Sequence, residues 1–130
     1  IAAGQHLGVR QMGFVTPYVA EVSARMRSKL EEAGFRIAGF GSFEEGNDQV
    51  VARITEASIL DAAERVAAMA PCDAIVISCT NLRCLRIIEE IEQRTGVAVI
   101  SSNQALGWHM LQLAGIREPR KAMGRLYSGN

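Results

Sequence analysis

The sequence predicts a single α/β domain in which helices cover both faces of a four-stranded parallel sheet. Two observations and one general rule of topology predict this fold. Short apolar segments of strand length alternate with longer segments whose apolar residues recur every three or four positions. The segment 74–77, Ala-Ile-Val-Ile, contains no polar residue, which is typical of a strand buried on both faces. Strands that alternate with helices form right-handed crossovers onto one parallel sheet.

The first predicted strand lies between two helices. Residues 1–8 resemble the end of a helix, which stops at a glycine. The apolar segment 12–15 is the strand, and Thr16 and Pro17 follow it directly. Because Thr is a good N-cap and Pro is favoured at the first helical position, the second helix is expected to start there and to end at Gly34. Its apolar side should face the sheet: Val19, Val22, Met26, Leu30 and Ala33.

A second strand, 35–40, is predicted after this helix, followed by a loop rich in glycine. Asn47 or Asp48 can cap a short helical turn, and Thr55 can cap a longer helix that runs through residue 70. One side of the longer helix is apolar: Ile59, Ala63, Val66, Ala67 and Ala70.

The third strand, 74–77, is the element around which the prediction is organised. Small polar residues follow at 78–81, and from Cys84 the apolar residues recur at helical spacing, up to a glycine at position 96: Cys84, Ile87, Ile88 and Ile91. Cys79 is therefore expected between the carboxyl end of a strand and the amino end of a helix. A helix amino end binds anions and favours a thiolate over a thiol.

A fourth strand, 97–100, a polar turn, 101–103, and a last helix to about residue 114 complete the pattern. The resulting sheet is flavodoxin-like, with strand order 2-1-3-4. Three polar turns then lie on the edge where ligands of open α/β sheets bind: 16–18, 78–81 and 101–103. The segment 117–130 is expected to be an irregular C-terminal tail.

Composition narrows the function classes. The chain has 130 residues, which fits one domain, and its 14 Lys and Arg balance its 14 Asp and Glu. A neutral chain gives no footprint for nucleic acid or an anionic membrane, and the short basic cluster 117–121 is interpreted as a solvated tail. The three cysteines, Cys72, Cys79 and Cys84, lack C-x-x-C spacing and a His pair, so neither a disulfide framework nor a metal site is expected. A reducing cytoplasm is the expected location.

Common catalytic motifs do not occur. The sequence contains neither of the glycine-rich phosphate loops, G-x-x-x-x-G-K-[ST] or G-x-G-x-x-G, and no G-x-S-x-G elbow. His6 and His109 have no helpful neighbour, so a Cys–His hydrolase pair is left open but nothing favours it. Cys79 by itself reads equally well as an inert buried cysteine, and Tyr18 as a side chain that covers the end of the sheet. Their convergence with backbone amides on one edge favours carboxylate binding with proton transfer at the adjacent carbon.

Four stretches together resemble the aspartate/glutamate racemase superfamily: 14–18 (FVTPY), 77–82 (ISCTNL), 99–109 (VISSNQALGWH) and 124–127 (GRLY). Within it, the chain is similar to the branch of maleate cis-trans isomerases, arylmalonate decarboxylases and ectoine-utilisation proteins. The resemblance implies a cofactor-independent enzyme with two similar α/β lobes and an active site between them. Residues 9–116 would be the second lobe, and residues 1–8 the end of a helix that comes from the preceding lobe.

The resemblance also implies roles for individual residues. Cys79 would be the acid/base thiol of the second lobe. Tyr18 would donate its hydroxyl to a substrate carboxylate, the amides of Thr80 and Asn81 would form an anion hole, and Thr16 would also bind substrate. No residue is expected to bind a metal.

The leading hypothesis is a cysteine-based isomerase that acts on a small dicarboxylate and resembles maleate cis-trans isomerase. A racemase or an arylmalonate-type decarboxylase of the same superfamily is the alternative enzyme, and a non-catalytic carboxylate-binding domain is the alternative from another class. The isolated chain is expected to be inactive, because its polar turns carry only one thiol and one anion hole. Its expected partners are the missing N-terminal lobe and copies of itself.

Overall fold

The computed structural model describes residues 1–117, 119 and 121–128. Four parallel strands form one sheet in the order β2-β1-β3-β4, which confirms the predicted order. Residues 118, 120, 129 and 130, which belong to the predicted C-terminal tail, lie outside the described residues. The strands are β1 (Gln11–Thr16), β2 (Arg36–Ser42), β3 (Ala74–Ile77) and β4 (Ala98–Ser101).

The register aligns the carboxyl ends of the three strands β1, β3 and β4. Val15 pairs with Ile77, and Ile77 pairs with Ser101. Because parallel strands run in the same direction, the segments that follow them leave the sheet at one edge. The polar ends of β1 and β4 therefore lie on either side of Ile77, the residue that precedes Ser78 and Cys79.

In the part of the chain that the structure describes, six helices and three 3-10 turns connect and flank the strands. The side chain of Asn47 caps α3 by accepting a hydrogen bond from the amide of Gln49, and that of Thr55 caps α4 by accepting from Ser58, as predicted. The helices are α1 (Ala2–His6), α2 (Ala20–Glu32), α3 (Asp48–Val51), α4 (Glu56–Met69), α5 (Ile88–Thr95) and α6 (Ser102–Leu113), and the 3-10 turns are Leu85–Ile87, Lys121–Met123 and Arg125–Tyr127. Within the described part of the chain, no helix is long and apolar enough to cross a membrane.

Two apolar clusters cover the two faces of the sheet. Successive residues of β3 point to opposite faces, so Ile75 and Ile77 belong to one cluster and Ala74 and Val76 to the other. The first cluster packs α4 and α5 against the sheet through Ile59, Ala63, Val66, Ile88 and Ile91. The second packs α1, α6 and the C-terminal 3-10 turn against it through Ala3, Trp108, Leu126 and Tyr127. The sheet is therefore covered on both sides, as the apolar run 74–77 predicts.

The prediction that Thr16 caps α2 is wrong. The helix begins at Ala20 with Val19 as its N-cap, and Thr16 is still the last residue of β1. The Thr16 hydroxyl accepts a hydrogen bond from the amide of Tyr18 at 3.2 Å, which makes a tight turn instead of a helix start. The amino-terminal part of the predicted apolar side does not face the sheet, because Val22 is 41% exposed whereas Ser23 is buried. Leu30 and Ala33, farther along the helix, pack against the sheet as predicted.

The helix after β3 also starts later than predicted. The residues Cys84, Ile87, Ile88 and Ile91 are all buried, as their spacing predicts. However, α5 begins only at Ile88, after the 3-10 turn Leu85–Ile87, so the loop that carries Cys79 does not lead directly into a helix amino end. The expected effect of a helix amino end on Cys79 is therefore not supported by this fold.

The segment 121–128 is folded against the domain. Gly124 adopts a left-handed backbone with φ of +76°, and a Cβ there would lie 2.6 Å from a methyl group of Ile88. Leu126 and Tyr127 are buried, and the amide of Arg125 donates to the carboxylate of Glu92 at 3.0 and 3.1 Å. This part of the segment expected to be irregular thus contributes to the core.

Candidate active site

Tyr18 and Cys79 meet at the carboxyl edge of the sheet. Tyr18 follows β1 and Cys79 follows β3, and these two strands are hydrogen-bonded neighbours. Cys79 is 5% exposed, and the side chain of Tyr18 packs against the apolar cluster to which Cys79 belongs. The structure therefore brings together the two side chains on which the sequence-based site depends.

The side chain of Tyr18 packs against the cluster that contains Cys79. Hydrogen bonding to Cys79, together with partial burial and the proximity of the ionisable groups of Cys79 and Asp48, raises the pKa of Tyr18 from 10.0 to about 12. Tyr18 consequently keeps its proton at neutral pH. It is thus able to donate a hydrogen bond, either to sulfur or to a substrate oxygen.

The backbone amide of Asn81 donates to the sulfur of Cys79 at 3.2 Å. A hydrogen-bond donor directed at sulfur stabilises negative charge on it. The sequence predicts that this amide donates to the substrate, but in the structure it donates to the sulfur of Cys79. The Asn81 side chain is also engaged, because its Nδ2 donates to the carbonyl of Asp48 at 3.0 Å and so ties the loop to α3.

Thr80 lies at the exposed tip of the same loop. Its carbonyl accepts a hydrogen bond from Nδ2 of Asn103, in the first turn of α6, at 2.9 Å. Within the described residues, the Thr80 amide donates to no acceptor. Of the two amides expected to form the anion hole, that of Thr80 is the one left for a ligand.

Thr16 is fully buried, with 0% of its surface exposed, and its hydroxyl is bonded to the Tyr18 amide. Its position therefore suits holding Tyr18 more than contacting a substrate.

The third polar turn is used by the fold. The Ser101 hydroxyl accepts from the amide of Gln104 at 3.2 Å, and Gln104 Oε1 accepts from the amide of Ser101 at 3.0 Å, which is a complete capping box. Both residues are buried. This turn supports the site through Asn103, and the hydroxyl and amide of Ser101 are both bonded within the capping box.

The other two cysteines differ from Cys79 in their surroundings. Burial raises the pKa of Cys84, although the Ser101 hydroxyl acts in the opposite direction. Burial is also the largest cause that raises the pKa of Cys72, which precedes β3 at the opposite edge of the sheet. Both thiols are therefore poor candidates for acid/base chemistry at neutral pH. In the described part of the chain, no group of three or more His, Cys, Asp or Glu could hold a metal ion.

Sequence reasoning missed the residues that surround Tyr18. Its carbonyl accepts hydrogen bonds from the hydroxyls of Ser23 and Ser42, and Ser42 ends the edge strand β2. The predicted second strand stopped at residue 40, so Ser42 was not placed at the carboxyl edge. The predicted strand order, which sets β2 beside β1, is the signal that could have found it.

The sequence model of the arylmalonate decarboxylase family matches residues 1–127. This chain belongs to that family. An arylmalonate decarboxylase from Bordetella bronchiseptica is 35% identical to it over 123 residues, which are 93% of this chain and 51% of that protein. A maleate isomerase from Nocardia farcinica (strain IFM 10152) is 27% identical over 121 residues, which are 92% of this chain and 48% of that protein.

Solved structures have the same fold. A cysteine-to-serine variant of Nocardia farcinica maleate cis-trans isomerase, with a covalently bound succinylcysteine intermediate, matches with a TM-score of 0.91 and 22% identity, over 98% of this chain and 52% of that one. The family match over residues 1–127 and the two relatives confirm the predicted resemblance to the racemase superfamily, and the match is to the C-terminal lobe. The chain spans about half the length of the curated relatives that it matches.

Proposed function

We propose that this chain supplies one half of the active site of a cysteine-based isomerase that acts on a small dicarboxylate, as maleate cis-trans isomerase does. The observation that carries the proposal is the setting of Cys79, whose sulfur accepts a hydrogen bond from the amide of Asn81 at 3.2 Å and lies in the cluster against which Tyr18 packs. A donor on the sulfur, with a tyrosine side chain packed nearby, suits a group that alternates between thiol and thiolate. In this proposal Cys79 is the catalytic acid/base.

The proposed reaction uses a thiol on each side of the substrate. A thiolate of the other lobe adds to one alkene carbon, and the thiol of Cys79 gives its proton to the neighbouring carbon. After rotation about the bond between these carbons, the Cys79 thiolate takes a proton back and the carbon–sulfur bond breaks. The succinylcysteine captured in the Nocardia farcinica enzyme supports such an addition step for this fold.

Tyr18 and Thr80 are the proposed substrate-binding groups on this lobe. The Tyr18 hydroxyl keeps its proton at neutral pH and so can donate to a carboxylate oxygen. The Thr80 amide can donate to the same carboxylate, because it is not paired within the described residues. Thr16 and Asn81, also predicted to bind substrate, act in this proposal through Tyr18 and Cys79, respectively.

Decarboxylation is the second candidate function. The family model and the 35% identity to the Bordetella bronchiseptica enzyme favour it. Loss of carbon dioxide from an arylmalonate leaves an enediolate, and Cys79 would return a proton to its carbon. Both candidates use Cys79 as an acid, and they differ in whether the other lobe also carries a thiol.

The remaining features of the proposal follow from the half-length match. Residues 9–116 form the second lobe in this proposal, the segment 121–128 packs against it, and residues 1–8 end a helix of the preceding lobe. The missing N-terminal lobe is the main partner, and the isolated chain is inactive and self-associates. We propose that the enzyme is located in the cytoplasm. It uses no cofactor and does not bind nucleic acid or a membrane. A role in ectoine utilisation is also part of this proposal.

Turnover by the full-length parent protein tests the proposal. Maleate, an arylmalonate and aspartate are offered in turn, to the parent protein, to Cys79→Ser and to Cys72→Ser. Cys72 is the matched control, since it lies at the opposite end of the same strand. Isomerisation of maleate that is lost in Cys79→Ser and kept in Cys72→Ser supports the main proposal, and the same pattern with arylmalonate supports the second candidate.

Two outcomes would contradict these proposals. Activity that survives in Cys79→Ser removes the acid/base role of this thiol. Maleate turnover by the isolated chain, abolished by Cys79→Ser, would show that self-association completes the site without another lobe.

A further inference from the structure

The carbonyl of Tyr18 accepts two hydroxyl hydrogen bonds. The Ser23 hydroxyl, from the first turn of α2, donates to it at 3.0 Å, and the Ser42 hydroxyl, from the end of β2, donates to it at 2.5 Å. The Tyr18 amide is held as well, by the Thr16 hydroxyl. Both peptide groups that flank the Cα of Tyr18 are therefore fixed, which sets the direction in which its side chain leaves the backbone.

Ser42 belongs to a segment that is paired with the Tyr18 turn along its whole length. We call residues 42–45 the clamp. The amide of Phe43 donates to the carbonyl of Thr16 at 3.1 Å, and the amide of Glu45 donates to that of Pro17 at 2.7 Å. The clamp thus connects the edge strand β2 to the turn that follows β1.

The clamp contains a strained residue. Glu44 has a φ of +52°, a left-handed conformation that residues other than glycine seldom adopt. Its amide donates to the Ser42 hydroxyl at 3.0 Å, and its carboxylate accepts from the amide of Ala20 at 3.1 Å. Backbone strain of this kind persists only where the surrounding contacts fix it, and it occurs most often at functional sites.

We propose that Ser42 is a positioning residue that aims the Tyr18 hydroxyl at Cys79. It acts through the carbonyl of Tyr18, and Glu44 keeps the clamp in place by capping α2. The inference rests on the proposed roles of Cys79 and Tyr18. It assigns to the edge strand, which contributes no side chain to the thiol itself, a function in the reaction.

Alkylation of Cys79 in the chain described here tests this role without requiring turnover. Iodoacetamide is the probe, at neutral pH, and mass spectrometry measures the rate at each cysteine. Cleavage after Arg83 and before Asp73 places Cys72, Cys79 and Cys84 on separate peptides. Ser42→Ala removes the hydroxyl and Ser42→Thr keeps it, while Ser28→Ala is the matched control, an exposed serine on α2.

We expect Tyr18→Phe to slow the alkylation of Cys79 about tenfold, the effect of one hydrogen bond to a charged group. Ser42→Ala should slow it about three- to tenfold, because the hydroxyl of Tyr18 is no longer aimed at the sulfur. Ser42→Thr should restore the rate, and Ser28→Ala should leave it unchanged. In the Tyr18→Phe background, Ser42→Ala should have no further effect, which a general loosening of the fold would not reproduce.

Each failure identifies which claim is wrong. If Tyr18→Phe leaves the rate of Cys79 unchanged, the proposed pairing of Tyr18 with the thiol is wrong. If Tyr18→Phe slows alkylation but Ser42→Ala does not, or if the two effects add in the double variant, the positioning role is overturned. If the Ser42→Ala variant does not fold, Glu44→Ala, a substitution at an exposed residue, takes its place. Glu44→Ala should also slow the alkylation of Cys79, and it should have no further effect in the Tyr18→Phe background.

Discussion

The loop after β3 and the junction between β4 and α6 are neighbours at the carboxyl edge, but they use their polar groups differently. At the junction, Ser101 is both the last residue of β4 and the N-cap of α6, so its hydroxyl and amide are bonded within the capping box. After β3, the helix starts only at Ile88, and the amide of Asn81 is left to bond the sulfur of Cys79. When the last residue of a strand caps the following helix, its hydroxyl and amide are already hydrogen-bonded. When a loop separates the strand from its helix, the amides of that loop can donate to a ligand or to a reactive group.

The junction is also the more firmly anchored of the two regions. Gln104 is fully buried and its Nε2 donates to the carbonyl of Met123 at 2.6 Å. The Tyr127 hydroxyl donates to the carbonyl of Gln104 at 3.0 Å. The C-terminal 3-10 turns thus hold α6 in place, and through Asn103 they support Thr80 in the neighbouring loop. We conclude that the junction is structural and that the β3 loop carries the chemistry.

The largest expected effect is a loss of folding stability when Gln104, at the junction, is replaced. Gln104→Met keeps the size of the side chain but leaves the amide of Ser101 and the carbonyl of Met123 without partners. We expect a loss of about 3 kcal/mol in the free energy of unfolding, measured with urea, since each unsatisfied buried group costs about 1–3 kcal/mol. Gln112→Met, on the same helix but partly exposed, should cost less than about 0.5 kcal/mol. A loss as small as that of the control would contradict the structural role of the junction.

The second prediction concerns the pH dependence of the Tyr18 contact. The folded protein raises the pKa of Tyr18 to about 12, so the contact stabilises the fold below the ordinary tyrosine pKa of 10.0 and this stabilisation is lost as the pH rises through 12. The difference in ultraviolet absorbance between the parent chain and Tyr18→Phe should therefore titrate near 12. In Cys79→Ala the titration should move toward 10.0, because the thiol is the largest cause of the shift. Titration of the parent near 10.0 would mean that the hydroxyl does not reach the sulfur.

The third prediction compares the three thiols. At neutral pH, iodoacetamide should alkylate Cys79 faster than Cys72 or Cys84, since only the thiolate reacts and burial disfavours the thiolate at the other two cysteines. Burial raises the pKa of both other thiols, so the difference in rate should narrow as the pH rises. Peptide mapping by mass spectrometry gives the three rates in one experiment. Equal or slower labelling of Cys79 would count against its catalytic role.

The smallest effect on stability is expected when Ser101, the N-cap of α6, loses its hydroxyl. Ser101→Ala should reduce the free energy of unfolding by about 1 kcal/mol, the typical value for a lost N-cap. Thr55→Ala, at the N-cap of α4, should cost about the same. Neither change should alter the alkylation rate of Cys79. If Ser101→Ala slows alkylation while Thr55→Ala does not, the junction takes part in the chemistry and the contrast between the two regions fails.

Much of the fold was readable from local sequence. The bounds of β3, the caps Asn47 and Thr55, and the strand order 2-1-3-4 were all predicted. These features depend on interactions between residues close in the chain, or on the general handedness of crossovers, so no knowledge of distant contacts is needed. The meeting of Tyr18 and Cys79 followed from the same reasoning, because neighbouring parallel strands end at one edge.

The geometry of the site was decided by tertiary structure. The starts of α2 and α5 were predicted too early, because Thr16 bonds the amide of Tyr18 and Cys84 is followed by a 3-10 turn instead of an α-helix. These shifts give the amide of Asn81 to the sulfur and expose Val22. The contact of Ser42 with Tyr18 joins residues 24 positions apart. Sequence pattern determined which residues reach the carboxyl edge, whereas their hydrogen-bond partners there depend on where each helix begins and on which distant segments pack together, and local propensity does not encode either.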